Sequence, residues 1–371
     1  MTWDTARLDD GISNLLQNCA ECAPGSSILV VFETEADGYY GTETADAVAS
    51  RAAHLGLSAS SVGIPLHRAA APELSLLHDE MAQADCTVFF ARYGDQMRFQ
   101  PLPQHAPRRV ISYALDEDML ASPFGTLPYQ GFARLEALIN AAFAKAREIR
   151  VTCPRGTDFS GSIASAPEDA VKNVSIKRFP VSVFAPLDAA YFRGWVAQDG
   201  FLTGTGSRYY EPYSCPLDAP IYFAFDGNRI IDITGAKHNV AAARAHYNAV
   251  ADQFGLDPFF IHSWHAGIHP GCRYDRPAGD SLERWSGSAF GNPRLLHFHT
   301  CGAEAPGEIS LNVLDPTIAL DGVPVWDAGF LRPERLQGGA ALLSDFPDLA
   351  HIFAEPERAV GQSADGRLRF R

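Results

Sequence analysis

The apolar positions change rhythm along the chain. In roughly the first 150 residues, short solid runs alternate with segments in which apolar residues recur every three or four places. Residues 26–33 (SSILVVFE) form such a run behind Pro24-Gly25, the pattern of a strand buried on both faces. Residues 41–57 (GTETADAVASRAAHLGL) are Ala-rich at helical spacing and end near Gly56, ahead of a second short run at 58–64. Together they predict a βαβ unit. A helix over 72–85 then leads to a strand over 86–93 (CTVFFARY), and a strand over 108–115 precedes a helix over 132–149. The expected product is an open α/β sheet layered by helices.

From Ile149 onward the pattern shortens. Residues 149–159 (IRVTCPRGTDF) read as a strand, a Pro154-Arg155-Gly156 turn and a return strand. Asp226-Gly227-Asn228, between IYFAF and RIIDI, is the clearest hairpin signal. One helix, over 239–256, interrupts the β pattern, and 316–329 reads as a further hairpin turning at Asp321-Gly322. The fold class expected is therefore α/β followed by α+β, with an N-terminal α/β domain over 1–148 and a β-rich domain over 149–371 that carries the chemistry.

Composition narrows the function. With 46% hydrophobic residues the chain of 371 can bury two cores, and its 31 Gly and 25 Pro follow no repeat. The formal charge of −14 and the absence of a Lys/Arg run argue against a nucleic-acid partner. No apolar stretch reaches about 18 residues, and MTWDTARLDD has no signal-segment character; a cytoplasmic, non-membrane protein is expected. The seven cysteines, at 19, 22, 86, 153, 215, 272 and 301, follow no disulfide framework, and the Cys19–Cys22 CxxC has no second pair at zinc-ribbon distance. They read as ordinary thiols. Neither a GxGxxG after the first strand nor a P-loop is present, and Gly204-Thr205-Gly206-Ser207 is half a fingerprint with no helix after it.

The histidines are the least random feature. Five of twelve fall between 262 and 299: His262, His265 and His269 in IHSWHAGIHPG, and His297 and His299 in LLHFHTCG. Neutral imidazole is the commonest ligand for zinc and suits iron, and two segments each offering His let three nitrogens meet on one ion with a position left open. On a strand, His297 and His299 share a face. On a helix, His262 and His265, or His265 and His269, would do so, although Gly267 and Pro270 argue for a loop. The bland reading is that each is a hydrogen-bonded core residue. Glu308, Asp315, Asp321 and Asp327 are the nearby carboxylates; Glu308 follows the HFH strand at hairpin distance, and Asp321 is placed as a turn-former. Ser263 has no GxSxG context, and Cys301 beside the HFH segment is a weak candidate for Cys–His chemistry. The aromatics dense over 190–214 could line a pocket or serve as core.

The order of segments resembles the metallo-aminopeptidases of the aminopeptidase T type and their iron-dependent relatives, the 2,5-dihydroxypyridine dioxygenases. The resemblance rests on IRVTCPRGTDFSGSI (149–163), FPVSVFAPLDAAYFRG (179–194), CPLDAPIYFAFDGNRIIDITG (215–235), AGIHP (266–270), LLHFHTCG and TIALDGVPVWDAG (317–329). It departs where the aminopeptidases place ligand carboxylates: Val181-Ser182 stands at the GEV glutamate, His262-Ser263 ahead of the glycine turn, and GEISLNVLDP lacks the HxD pair. The resemblance implies a metal-dependent hydrolase or dioxygenase acting on a small amino-acid, peptide or aromatic substrate. Its metal, Fe or Zn, would be held by a subset of His262, His265, His269, His297, His299 and Glu308, for instance two histidines and Glu308. It also implies a homodimer. The rival reading is a catalytically degenerate peptide-binding or scaffold protein, such as a helper in a peptide natural-product pathway, on the same fold.

Overall fold

The structure, a computed structural model, describes residues 5–35, 38–65, 72–97, 106–163, 176–206, 208–303 and 306–370; Ser207 of the half fingerprint lies outside them. The chain forms two compact units, Met1–Ala133 with Lys172–Val181, and Arg134–Val171 with Ser182–Arg371.

The first unit is a wholly parallel sheet in the order Ser58–Ile64, Ser27–Glu33, Cys86–Phe90, Arg108–Ser112, Lys177–Phe179. Ile28 to Val31 and all of Cys86–Phe90 are buried, as solid apolar runs require when helices cover both faces. Helices Thr44–His54 and Pro72–Gln83 occupy the crossovers the periodicity marks out. Two elements differ from the sequence reading. The strand expected over 86–93 stops at Phe90, and Tyr93–Met97 turns into a helix. The fifth strand, Lys177–Phe179, returns from beyond residue 149 and is three residues long, too short to show a period. The contact-defined units accordingly divide the chain differently from a single cut at 148/149, and the boundary falls inside helix Tyr129–Lys145.

The second unit holds two antiparallel sheets. One has eight strands, ordered Arg229–Gly235, Ile221–Asp226, Phe192–Gln198, Asp158–Gly161, Ile149–Thr152, Thr317–Leu320, Val323–Asp327 and Phe330–Leu331. The hairpins expected at Asp226-Gly227-Asn228 and Asp321-Gly322 are both present. Asp321 and Gly322 have φ of 49° and 82°, the left-handed geometry that a two-residue hairpin turn demands. The other sheet has six strands, ordered Ser214–Pro216, Phe201–Thr203, Glu308–Leu314, Leu295–Cys301, Ile261–Ala266 and Leu187–Asp188.

Period-two alternation decides what each face of the six-stranded sheet does. Trp264 and Phe298 are opposite one another and completely buried. They meet Phe159 of the eight-stranded sheet edge-on, with ring centroids 5.3 and 5.2 Å apart, and Phe192 and Phe225 close the same aromatic core. The residues between them must face the other way, and those residues are histidines.

Candidate metal centre

Strand register builds the site. His265 is the cross-strand partner of His297, and His299 is the partner of Ser263 on one side and Ser310 on the other. Asn312 stands opposite His297. Directly opposed residues project from the same face, their Cβ atoms about 5 Å apart, so this face carries Ser263, His265, His297, His299, Ser310 and Asn312 together. His265, His297 and His299 each offer a ring nitrogen, and the three nitrogens lie within 4.8 Å of one another. His265 Nε2 is 2.7 Å from His297 Nε2 and 3.1 Å from His299 Nε2.

The outer nitrogens of two rings have partners that set their tautomers. His265 Nδ1 is 3.0 Å from the Phe184 carbonyl oxygen, so Nδ1–H donates and the lone pair sits on Nε2. His299 Nδ1 is 2.8 Å from Glu308 Oε1, with the N–H off the line between them, an ionic contact more than a straight hydrogen bond. A bare lone pair at that distance from a carboxylate would be repelled, so here too Nδ1 carries the proton. The neutral forms of His265 and His299 thus aim two lone pairs at each other across 3.1 Å. His297 Nε2–H can satisfy one of them. A proton or a metal ion shared among the three inner nitrogens would satisfy both lone pairs.

The donor set suits a metal ion. Nitrogens about 2.0–2.1 Å from one ion are about 2.9 Å apart at right angles and about 3.3 Å apart at the tetrahedral angle. The separations of 2.7 and 3.1 Å from His265 to its two neighbours bracket the first value, and all three nitrogens lie within 4.8 Å of one another. His297 is held neutral, as a ligand must be: burial pushes its pKa well down, and His265 and His299 beside it add to that. Its ring stacks on Phe290 at 4.1 Å and 23°, while its Nδ1 has no hydrogen-bond partner among the described residues.

The other candidates from the sequence go elsewhere. The segment weighed as helix or loop is a strand up to Ala266, which separates His262 from His265 by orientation. Half-buried His262 has Nδ1 2.9 Å from Ser263 Oγ, outside the three-nitrogen group. His269 lies past the strand end, completely buried, with its Nδ1 accepting from the Gly271 N–H at 3.2 Å and burial pushing its pKa down to about 3. Glu308 is not placed as a ligand: its register partner is Cys301, two residues beyond His299, so its carboxylate reaches the outer edge of that ring. Asp315 is engaged by Arg294 and Arg358, Asp327 by Arg335, and Asp321 accepts from the N–H groups of Arg147 and Glu148. Burial pushes the Cys301 thiol up to about 11, so it is no thiolate nucleophile. Sequence reasoning missed the Phe184 carbonyl, Phe290, Ser310 and Asn312. The register alone identifies the last two, and no local motif marks the first two.

No family model and no curated protein matches the chain. Among solved structures it is similar to 2,5-dihydroxypyridine dioxygenase from Pseudomonas putida, with a TM-score of 0.59 at 16% identity over 89% of this chain and 98% of that one. AmpT from Thermus thermophilus also matches, with a TM-score of 0.46 at 11% identity over 87% of this chain and 98% of that one. The first match shows a shared fold, the one that the order of motifs from IRVTCPRGTDF to TIALDGVPVWDAG resembles. No described helix is long and apolar enough to cross a membrane.

Proposed function

We propose that His265, His297 and His299 hold a single first-row divalent metal ion and that the chain is a metal-dependent enzyme, an iron oxygenase acting on a small aromatic substrate. The observation that carries the reading is the convergence of three ring nitrogens within 4.8 Å of one another, two of the separations being 2.7 and 3.1 Å, on a face where burial pushes the His297 pKa down. The fold shared with a dioxygenase structure supports the oxygenase branch over hydrolysis.

When bound, the ion would supply Lewis-acid and redox chemistry at its open positions. The chain supplies the rest. The Phe184 carbonyl and Glu308 orient two rings and increase their basicity. Three neutral ligands leave the ion's charge uncompensated except by Glu308 outside the ring, which favours an anionic oxygen donor such as a phenolate at the open positions. Phe290, stacked on His297 and itself buried, excludes water from one flank of that ring.

The test is metal analysis of protein purified without added metal and after anaerobic reconstitution with iron, on the wild type and on His265→Ala and His297→Ala. One iron per chain in the wild type, lost in both variants while each stays folded, is the expected result. A wild type that takes up no metal, with a fold indifferent to both substitutions, would sink the enzyme reading. The binding-protein alternative would then stand, with the three histidines as a hydrogen-bonded polar cluster.

A further inference from the structure

The three histidines occupy three corners of a block of four. Ser263 pairs with His299, and His265 with His297, across two adjacent strands. Opposed residues on one face have Cβ atoms about 5 Å apart, and the next pair along lies roughly 7 Å away. Ser263 therefore holds the fourth corner, diagonal to His297. Phe290 stacks on His297 and closes that flank, whereas the fourth corner carries the smallest side chain of the block and lies one strand from the sheet edge. Its neighbour on the edge strand is Asp188, exposed and engaged by the Ala190 N–H and by Asn228 Nδ2.

A β-bulge brings a partner to this serine. Ile261 opposes Thr300 and Ser263 opposes His299, so two steps on one strand match one step on the other, and His262 is the extra residue. The bulge releases His262 from strict alternation, and its Nδ1 lies 2.9 Å from Ser263 Oγ. Ser263 is 2% exposed, and His262 Nδ1 is the only hydrogen-bond partner of its hydroxyl among the described residues. A hydroxyl both donates and accepts. One contact with His262 thus leaves Oγ with unused hydrogen-bonding capacity beside the three converging nitrogens.

We propose that Ser263, at the fourth corner of the histidine block, is a substrate-binding residue of the metal centre and that His262 positions it. His262 Nδ1–H donates to Ser263 Oγ, and the Ser263 hydroxyl donates in turn to the oxygen of a phenolate held at the open side. A hydrogen bond to an ionised oxygen is about twice as strong as a neutral one, so the pair favours an ionised hydroxyl on the aromatic substrate over a neutral oxygen such as an ether. His262 sets the direction, because a hydroxyl that already accepts from an imidazole has its own proton left to give. The assignment rests on the metal reading and adds to it the group by which the substrate is told apart.

The full chain, loaded with iron and oxidised to the ferric state, is titrated with phenol and with its methyl ether anisole as the control, and the readout is the phenolate-to-iron charge-transfer absorption. Expected in the wild type are one phenol per chain with a visible band, and no band with anisole. In Ser263→Ala the iron content stays the same, phenol binds about tenfold or more weakly, and the band moves to longer wavelength, because a phenolate oxygen without its hydrogen bond gives up an electron more easily. His262→Phe gives a smaller shift in the same direction, and Ser263→Thr, which keeps the hydroxyl, keeps the wild-type band. Unchanged affinity and band in Ser263→Ala would overturn the proposal, as would an iron-loaded wild type that shows no phenol band. Iron lost in Ser263→Ala would make the serine a support of the ion itself and overturn it too, and a wild-type band in His262→Phe would remove His262 from the assignment. Each of these results, with iron in the wild type, leaves the metal centre standing. A wild type that takes up no iron would sink the centre and the assignment together.

Discussion

Each unit buries a polar cluster, and the two are finished to different degrees. In the first, Arg92 and Glu33, 3% and 4% exposed at their side chains, answer each other completely. Arg92 Nη2 donates to Oε2 at 2.6 Å, Nε to Oε1 at 3.0 Å, the Arg92 backbone N–H to Oε1 at 2.7 Å, and the Tyr39 ring lies 4.4 Å from the guanidinium carbon. Each charge is met by the opposite charge of its partner within the chain. In the second, His265, His297 and His299 turn their inner nitrogens towards one another; the outer nitrogens of His265 and His299 meet a carbonyl and a carboxylate, and that of His297 has no hydrogen-bond partner among the described residues. A closed ion pair locks a fold, whereas three ring nitrogens converging with only two outer partners leave room for the cation proposed above. Burial alone does not identify a site; the unbalanced ledger of donors and acceptors does.

The sharpest way to test that difference is to break the closed cluster. Arg92→Met leaves the Glu33 carboxylate buried and unpaired, and removing one partner of such a pair costs about 3–5 kcal/mol. Urea unfolding should show that loss while iron uptake by the surviving folded fraction is unchanged. A variant that loses iron along with stability would show that the two clusters are not independent.

Acid should reveal a second kind of unfinished burial. His246, in helix Lys237–Phe254, is 6% exposed, packs edge-on to Tyr210 with centroids 5.8 Å apart, and has no hydrogen-bond partner for Nε2 among the described residues. Burial pushes its pKa from 6.5 down to about 4. Above pH 6.5 the ring is neutral in both folded and unfolded chains and contributes nothing. Between 6.5 and 4 only the unfolded chain takes the proton, so stability falls as pH falls through that window. The total is on the order of 3 kcal/mol. His246→Phe should flatten the pH dependence of urea unfolding across that window, and an unchanged slope would show that the ring is not held neutral.

Much of the fold is legible in the chain because its signals are local. The solid runs of the parallel sheet, the Ala-rich helix ending at Gly56 and the Asp-Gly turns each carry their own punctuation, and each element appears where it does. The strand Lys177–Phe179 carries none, since three residues show no period and its pairing with Arg108–Ser112 spans more than sixty positions of chain. The site was half legible. The HxH of the strand Leu295–Cys301 reveals a shared face by alternation alone, but His265 joins it only through the register of two strands, and the segment of His262, His265 and His269, whose Gly267 and Pro270 argue for a loop over a helix, is a strand as far as Ala266. Glu308 stands out as a carboxylate near histidines. That it lies at the outer edge of the His299 ring and not among the converging nitrogens follows from a two-residue offset that only pairing reveals.

That offset gives the smallest and most specific prediction. If Glu308 were a ligand, Glu308→Gln would remove a bond to the ion and abolish uptake. Placed instead 2.8 Å from His299 Nδ1, it acts through the ring: its charge holds the proton on Nδ1, keeps the lone pair on Nε2 and partly offsets an ion bound by three neutral donors. Glutamine keeps the shape and an acceptor oxygen but not the charge. Iron affinity should then fall about 10–100-fold, the range for outer carboxylate partners of ligating histidines. Because the coordinating atoms are unchanged, the number of nitrogen neighbours seen by X-ray absorption at the iron edge should stay the same. Complete loss of iron with Glu308→Gln, or the loss of an oxygen neighbour in that spectrum, would move Glu308 into the coordination sphere and make the centre one of histidines and a carboxylate. An affinity unchanged by the substitution would show that the carboxylate leaves the ring's basicity alone, and that the Phe184 carbonyl and the burial of His297 are enough to fix the three nitrogens.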